Sequence, residues 1–68
     1  MSVFTAVVVQ DRAGGYVGHV PGWPGAHSQG ETLDELHGNL REVVELLLVS
    51  GAPEMEAQFV GTLNVEVE

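Results

Sequence analysis

The sequence predicts a single α+β domain in which three strands precede one helix and a fourth strand follows it. Its first half alternates β-branched runs with turns rich in glycine and proline. A capping sequence then begins a run of apolar residues at helical spacing, and the last ten residues alternate between apolar and polar side chains. Because 68 residues suffice for one domain only, we expect it to span residues 1–68.

The first three strands are predicted at Val3–Gln10, Tyr16–Val20 and Ala26–Gln29. The first is continuously β-branched and apolar, which favours a strand covered on both faces. The glycine-bearing loop 11–15 has hairpin length, and Pro21–Gly25 is a rigid turn because proline fixes φ and glycine permits positive φ. This half of the chain should therefore form three strands joined by a hairpin-length loop and a rigid turn.

The helix is predicted to begin at Thr32, with Glu35 completing a capping box, and to end at Gly51. One apolar stripe marks its buried side: Leu33, Leu36, Leu40, Val43, Val44 and Leu47. Phe59–Glu68 alternates as a half-buried strand does. A right-handed crossover makes this strand parallel to the first, so we expect β1-β2-β3-α-β4 with sheet order 3-2-1-4 and the helix on one face.

Composition argues against several classes of function. Two basic and ten acidic residues give a net charge of −8, whereas nucleic-acid surfaces need clustered Lys and Arg. Without cysteine there is no disulfide, thiolate nucleophile or Cys-type zinc site. No stretch reaches the ~20 apolar residues of a membrane span, and the first residues do not resemble a signal peptide. We therefore expect a cytoplasmic protein that binds neither nucleic acid nor membrane.

No catalytic residue, metal site or cofactor is predicted. The three histidines lack ligand spacing, the serines lack a nucleophile elbow, and no glycine loop matches a phosphate-binding motif. One alternative is a residual magnesium-dependent nuclease, whose carboxylates would be Asp11, Glu35, Glu42 and Glu66. Capping already explains Glu35, and a solvated helix face explains Glu42, so this alternative is the weaker one.

Surplus apolar surface predicts self-association. One helix covers one sheet face, whereas Val3–Gln10 carries apolar side chains on both. Leu46 and Val49 project away from the core stripe among acidic neighbours. Because so small a domain also has a small core, we expect a homo-oligomer, a dimer or a tetramer.

Three motifs follow one another at short spacing: Gly14–Pro21, Trp23–Thr32, and Asp34–Leu36 with Asn39 in the helix. Together they resemble the HicB antitoxin family, over most of the chain from about Phe4 to Leu48. The resemblance implies a partly degraded RNase H-like fold that has lost its catalytic carboxylates. It also implies a partner like HicA, a small basic toxin that cleaves mRNA.

From this resemblance we expect an antitoxin-like inhibitor that binds and masks such a toxin and has no catalytic activity. Because the sequence shows no C-terminal DNA-binding domain of the HicB type, operator binding is not expected. Partner contacts, chosen for residue type and expected exposure, are predicted at Tyr16, His19, Trp23, Glu35, Glu42 and Leu46. Trp23 has a second interpretation as a core anchor. A stand-alone homo-oligomeric scaffold and the magnesium-dependent nuclease are the alternative functions.

Overall fold

The computed structural model describes residues 3–51, 55 and 57–67. Its elements are β1 (Val7–Gln10), β2 (Tyr16–His19), β3 (His27–Gly30) and α1 (Leu33–Val49). The strands form one antiparallel sheet in the order β1-β2-β3, with β2 in the centre. The α+β class, with three strands followed by one helix, is therefore confirmed.

The register of the sheet fixes which side chains face the helix. Gly18 of β2 lies opposite Val8 of β1 and Ser28 of β3. Since side chains alternate between faces along a strand, Tyr16 shares the Gly18 face while His19 points to the other. In the β1–β2 hairpin, the Asp11 N–H donates to the Gly15 carbonyl at 3.0 Å.

β1 is shorter than the predicted Val3–Gln10, because its pairing with β2 ends where Val7 meets His19. Continuing this register would place Thr5 opposite Pro21, which has no N–H to donate. The chain turns there instead, and the Val20 N–H donates to the Ala26 carbonyl at 2.9 Å. Residues 3–6, although their sequence favours a strand, therefore have no partner in β2.

The predicted ends of the helix are confirmed. Thr32 has an extended backbone, and its Oγ1 accepts from the Glu35 N–H at 3.1 Å. Asp34 and Glu35 place acidic side chains in the first turn, where the helix dipole favours them. Gly51 follows the last turn with φ of +134°, and its N–H donates to the Leu48 carbonyl at 3.1 Å.

α1 packs on β3 and β2, and two glycines set how closely. A Cβ at Gly18 would lie 2.9 Å from Leu40 Cδ1, and a Cβ at Gly30 would lie 2.6 Å from Leu36 N. Leu36 and Leu40, the buried part of the predicted stripe, fill this contact. The start of the helix therefore rests directly on the backbone of β3.

The second part of the core lies under the C-terminal half of α1. Its buried residues are Val20, Trp23 and Ala26, and partly buried around them are Phe4, Ala6, Val44 and Leu47. The Phe4 and Trp23 rings lie with centroids 5.1 Å apart, tilted by 46°. The proline–glycine turn thus brings its tryptophan into the core.

The fourth strand predicted at Phe59–Glu68 is not formed within residues 57–67, and Glu68 lies outside the described residues. Val60, Leu63, Val65 and Val67 are 80–94% exposed. Alternation is a local property, whereas a strand also needs a partner edge, and this segment lies unpaired. The expected sheet order 3-2-1-4 is thus realised only as far as its 3-2-1 part.

Candidate binding surface

One side of α1 combines acidic and apolar side chains in full exposure. Glu35, Glu42, Leu46 and Val49 share this side, which we call the acidic–apolar face. Leu46 is 70% exposed and Val49 is 86% exposed, as expected from the sequence. An exposed apolar spot next to carboxylates is typical of a contact surface for a protein that carries positive charge.

A single side-chain hydrogen bond holds this face beside the β3 edge. Asn39, between Glu35 and Glu42 on the helix, donates from Nδ2 to the Gln29 carbonyl at 2.8 Å. Val20 and Ala26 form a hydrogen-bonded pair, and such pairs recur at every second position of the ladder, so residues 18 and 28 form the next one. Gln29 lies between hydrogen-bonded positions, so its carbonyl points away from β2, to the free side of β3. Asn39 therefore occupies part of this edge and joins α1 to β3 beside their buried contact.

A shallow cleft of about 300 Å³ continues the acidic–apolar face at the start of the helix. Its lining includes three acidic residues, Asp11, Glu31 and Glu35, together with Tyr16. Acidic residues along a cleft attract the basic side chains of a partner protein. Glu35 belongs to both the cleft and the face, so the two form one continuous surface.

The arginine of α1 does not neutralise this surface. Arg41 Nε donates to Glu45 Oε1 at 2.9 Å, in an exposed pair one turn apart. At 100° per residue, this pair lies on a different side of the helix from Glu35 and Glu42. Exposed pairs of this kind contribute about 0.3–0.5 kcal/mol at most to stability. Because Arg41 is paired with Glu45, its charge does not compensate the carboxylates of the acidic–apolar face.

Four of the six predicted contact residues come together on this surface. Tyr16 and Glu35 line the cleft, and Glu42 and Leu46 belong to the acidic–apolar face. The sequence alone placed them on two different elements. The packing of α1 on β3 and β2 brings Tyr16 and Glu35 together in the cleft, and Glu42 and Leu46 follow further along the same side of the helix.

The other two predicted contacts lie elsewhere. His19 is exposed on the sheet face away from the helix, directly opposite His27. Trp23 is only 9% exposed and packs against Phe4, so the expectation of an exposed indole is corrected and its interpretation as a core anchor applies. Neither residue belongs to the surface around Glu35.

Two contributors to this surface were missed as binding or positioning residues. Asn39 belongs to the helix motif, but nothing local in the sequence indicates its bond to a residue ten positions earlier. Glu31 precedes the helix cap and enters the cleft only because β3 ends beside the β1–β2 hairpin. Both depend on tertiary packing, which composition and spacing do not reveal.

The carboxylates of the nuclease alternative are dispersed. Asp11 and Glu35 line the cleft, Glu42 lies two turns along the helix, and Glu66 belongs to the exposed segment 57–67. Over the described ranges, no three His, Asp or Glu side chains are grouped so as to hold a metal ion. In those same ranges, no helix has the length and apolar character needed to cross a bilayer.

Comparison with known proteins finds relatives along nearly the whole chain. It is 42% identical over 64 residues to the UPF0150 protein ssr1258 of Synechocystis, covering 94% of this chain and 93% of that protein. It is 43% identical over 68 residues to a UPF0150 protein of Thermotoga maritima, covering 97% and 91% of the two chains. A UPF0150 protein of Archaeoglobus fulgidus is 38% identical over 65 residues, covering 96% and 94%. No protein-family model matches the chain. A search of solved structures also gives no match.

Proposed function

The chain belongs to the UPF0150 family, and we propose that it is a non-catalytic, cytoplasmic binding module that resembles a HicB-type antitoxin. Its acidic–apolar face would bind a small basic, mRNA-cleaving toxin like HicA and mask the toxin's active site. The single observation that supports this most strongly is the continuous surface of Tyr16, Glu35, Glu42 and Leu46. Residue type and expected exposure in the sequence predict the same four residues as partner contacts.

Charge and shape suit this partner. With a net charge of −8, the protein attracts a basic protein over long range, and this attraction accelerates their encounter. Leu46 and Val49 then provide an apolar centre that loses water on contact. The same carboxylates repel RNA phosphates, so the proposal assigns RNA contact to the toxin and not to this chain.

The proposal also includes the finer fold that the resemblance implies. In a partly degraded RNase H-like sheet, segment 59–67 would add beside a β1 edge, that of its own copy or of a second one, and complete the order 3-2-1-4. We do not propose catalysis, because the acidic side chains of the nuclease alternative are already hydrogen-bonded within the chain or are dispersed over it. Asp11 Oδ1 accepts from the Ala13 N–H at 3.0 Å within the hairpin turn, and Glu42 and Glu66 belong to separate elements.

Charge reversal on the acidic–apolar face tests the proposed contact. The partner is first isolated with the tagged full chain from an RNase-treated lysate and identified by its mass. The double variant Glu35→Lys/Glu42→Lys should then associate with it about tenfold more slowly at low salt, because local attraction steers the encounter.

The matched control is Asp34→Lys/Glu66→Lys. It changes the net charge by the same amount, but Asp34 lies about 100° around the helix from Glu35, and Glu66 lies in segment 57–67. Association rates measured by stopped flow should change much less for this control than for the test variant. Equal slowing of both variants, or a lysate that yields no small basic protein in stoichiometric amount, would contradict the proposal.

A stand-alone homo-oligomeric scaffold is the second candidate function. It is favoured by the apolar side chains that stay exposed in segment 57–67, away from the acidic–apolar face. A stable homo-oligomer that retains no basic protein would favour it. If the homo-oligomer does retain a basic protein, the chain would act both as a scaffold and as an inhibitor.

A further inference from the structure

Segment 60–67 has the alternating pattern of a β-strand, but it is not paired with another strand. Leu63, Val65 and Val67 fall on one side, whereas Thr62, Asn64 and Glu66 fall on the other. The three apolar side chains are 80–91% exposed. A segment that alternates so regularly is suited to pair with a sheet edge and bury one of its sides.

β1 offers such an edge. The bond from the Asp11 N–H to the Gly15 carbonyl sets the ladder so that Val9 and Val7 form hydrogen bonds with β2. The N–H and C=O groups of Val8 and Gln10 consequently point outward, and no strand lies beyond β1 in the described segments. Such an edge is a template for pairing with another chain.

An apolar groove lies next to this edge. It has a volume of about 550 Å³ and runs between residues 3–6 and the C-terminal half of α1. Val3, Phe4 and Ala6 line one side, and the helix lines the other with the apolar Leu40, Val44 and Leu48 and, beside them, the polar His37, Arg41 and Glu45. α1 packs on β3 and β2, so a further strand beside β1 would cover the apolar surface that the helix leaves open.

The chain directs segment 60–67 away from its own groove. Ala57 is held against the turn, where a Cβ at Gly22 would overlap its carbonyl, and Phe59 lies with Val3 and Phe4. Beyond this point the chain leaves the body. The radius of gyration is 13.4 Å, against about 11 Å expected for a compact chain of this length.

We propose that two copies of this chain exchange segments 60–67, each segment adding as a fourth strand at the β1 edge of the other copy. Every copy has one strand to give and one edge to receive it, so the reciprocal exchange closes into a two-fold dimer. The inference rests on the self-association in the second candidate function and does not require toxin binding.

Complementing proline variants test the exchange in the full chain. Val8→Pro removes an N–H that points to the outer edge and so inactivates the receiving edge. Asn64→Pro/Val65→Pro inactivates the donated strand, because successive N–H groups point in opposite directions and one of the two must face the edge. Each variant alone should sediment as a monomer, and an equimolar mixture should form a heterodimer with one exchanged strand.

A monomeric wild-type chain at high micromolar concentration would overturn the proposal. So would a dimer in either proline variant alone, or a mixture that stays monomeric although circular dichroism shows α1 intact in both. The last result would indicate that the segment pairs within its own chain. If Val8→Pro loses the helix signal, Gln10→Pro replaces it, since its N–H points to the same edge.

A matched pair of charge variants gives a second readout. Val65→Lys places a charge on the side that pairs against the groove and should raise the dimer dissociation constant about tenfold or more. Asn64→Lys adds the same charge on the outer side and should change it by about twofold or less. Equal effects of the two would contradict the exchange. Because neither lies on the acidic–apolar face, toxin binding by the same samples tests the inhibitor proposal separately.

Discussion

At the scale of single residues, two glycines decide how the helix meets the sheet. Gly30 lies under the first turn of α1, where a Cβ would come within 2.6 Å of Leu36 N and 3.0 Å of the Glu35 carbonyl carbon. Both are backbone atoms, so the contact cannot relax by a change of side-chain rotamer. Gly38, in the same helix, has nothing within 4 Å of an added Cβ.

Alanine at these two positions should have opposite effects on stability. Gly30→Ala should lower the free energy of unfolding by about 2 kcal/mol, because the helix must move off the sheet. Gly38→Ala should raise it by about 0.5–1 kcal/mol, the usual gain in an exposed helix interior. Urea unfolding at one protein concentration measures both. A Gly30→Ala variant as stable as the wild type would show that the helix is not seated as described.

Residue patterns anticipated the local features of the fold well. Thr32 and Gly51 mark the helix ends because capping depends on a few neighbouring residues. The bond from Asn39 to Gln29 joins residues ten apart across two elements, and no local pattern indicates it. Trp23 was open to two interpretations for the same reason, since only packing distinguishes a core anchor from an exposed contact.

At the scale of elements, α1 serves two purposes on two sides. Leu36 and Leu40 are buried against the sheet, whereas Leu46 and Val49 remain exposed among acidic neighbours. Folding therefore depends on the first pair and should be largely indifferent to the second. A role in partner binding accounts for apolar side chains that stabilise nothing within the chain.

Leu46→Ser should leave the unfolding free energy within about 0.5 kcal/mol of the wild type, because the side chain is already largely exposed. It should nevertheless weaken the complex with the basic partner about tenfold, since an apolar contact is lost. Leu33→Ser is the control, an exposed leucine near the opposite end and on another side of the helix. Calorimetric titration that finds the same affinity loss for both would argue against this face as the contact.

The strands show where sequence reasoning stops. The order of β1, β2 and β3 follows from the turn residues that separate them, whereas β1 was predicted to begin four residues too early, at Val3. The lengths depend on partners, as the early end of β1 pairing opposite Pro21 shows. Segment 59–67 has the alternation of a strand but is not paired with the free edge of β1, because pairing depends on contacts that a local pattern does not reveal.

At the scale of the whole molecule, the chain is a small acidic domain with two exposed surfaces that we propose other chains cover. A second copy would cover the β1 edge and the neighbouring groove, and a basic toxin would cover the acidic–apolar face. The exposed face of α1 lies on the β3 side of the sheet, whereas the groove lies on the β1 side. We therefore predict that a dimer binds two toxin molecules, one on each copy.

The most direct test of the central claim is a titration of RNA cleavage. The purified basic partner is given an mRNA substrate, and the full-length chain is added in increasing amounts with magnesium present. We predict that cleavage falls to zero at one chain per toxin and that the chain alone leaves the mRNA intact. Undiminished cleavage at excess chain, or magnesium-dependent cleavage by the chain itself that Asp11→Asn abolishes, would contradict the account.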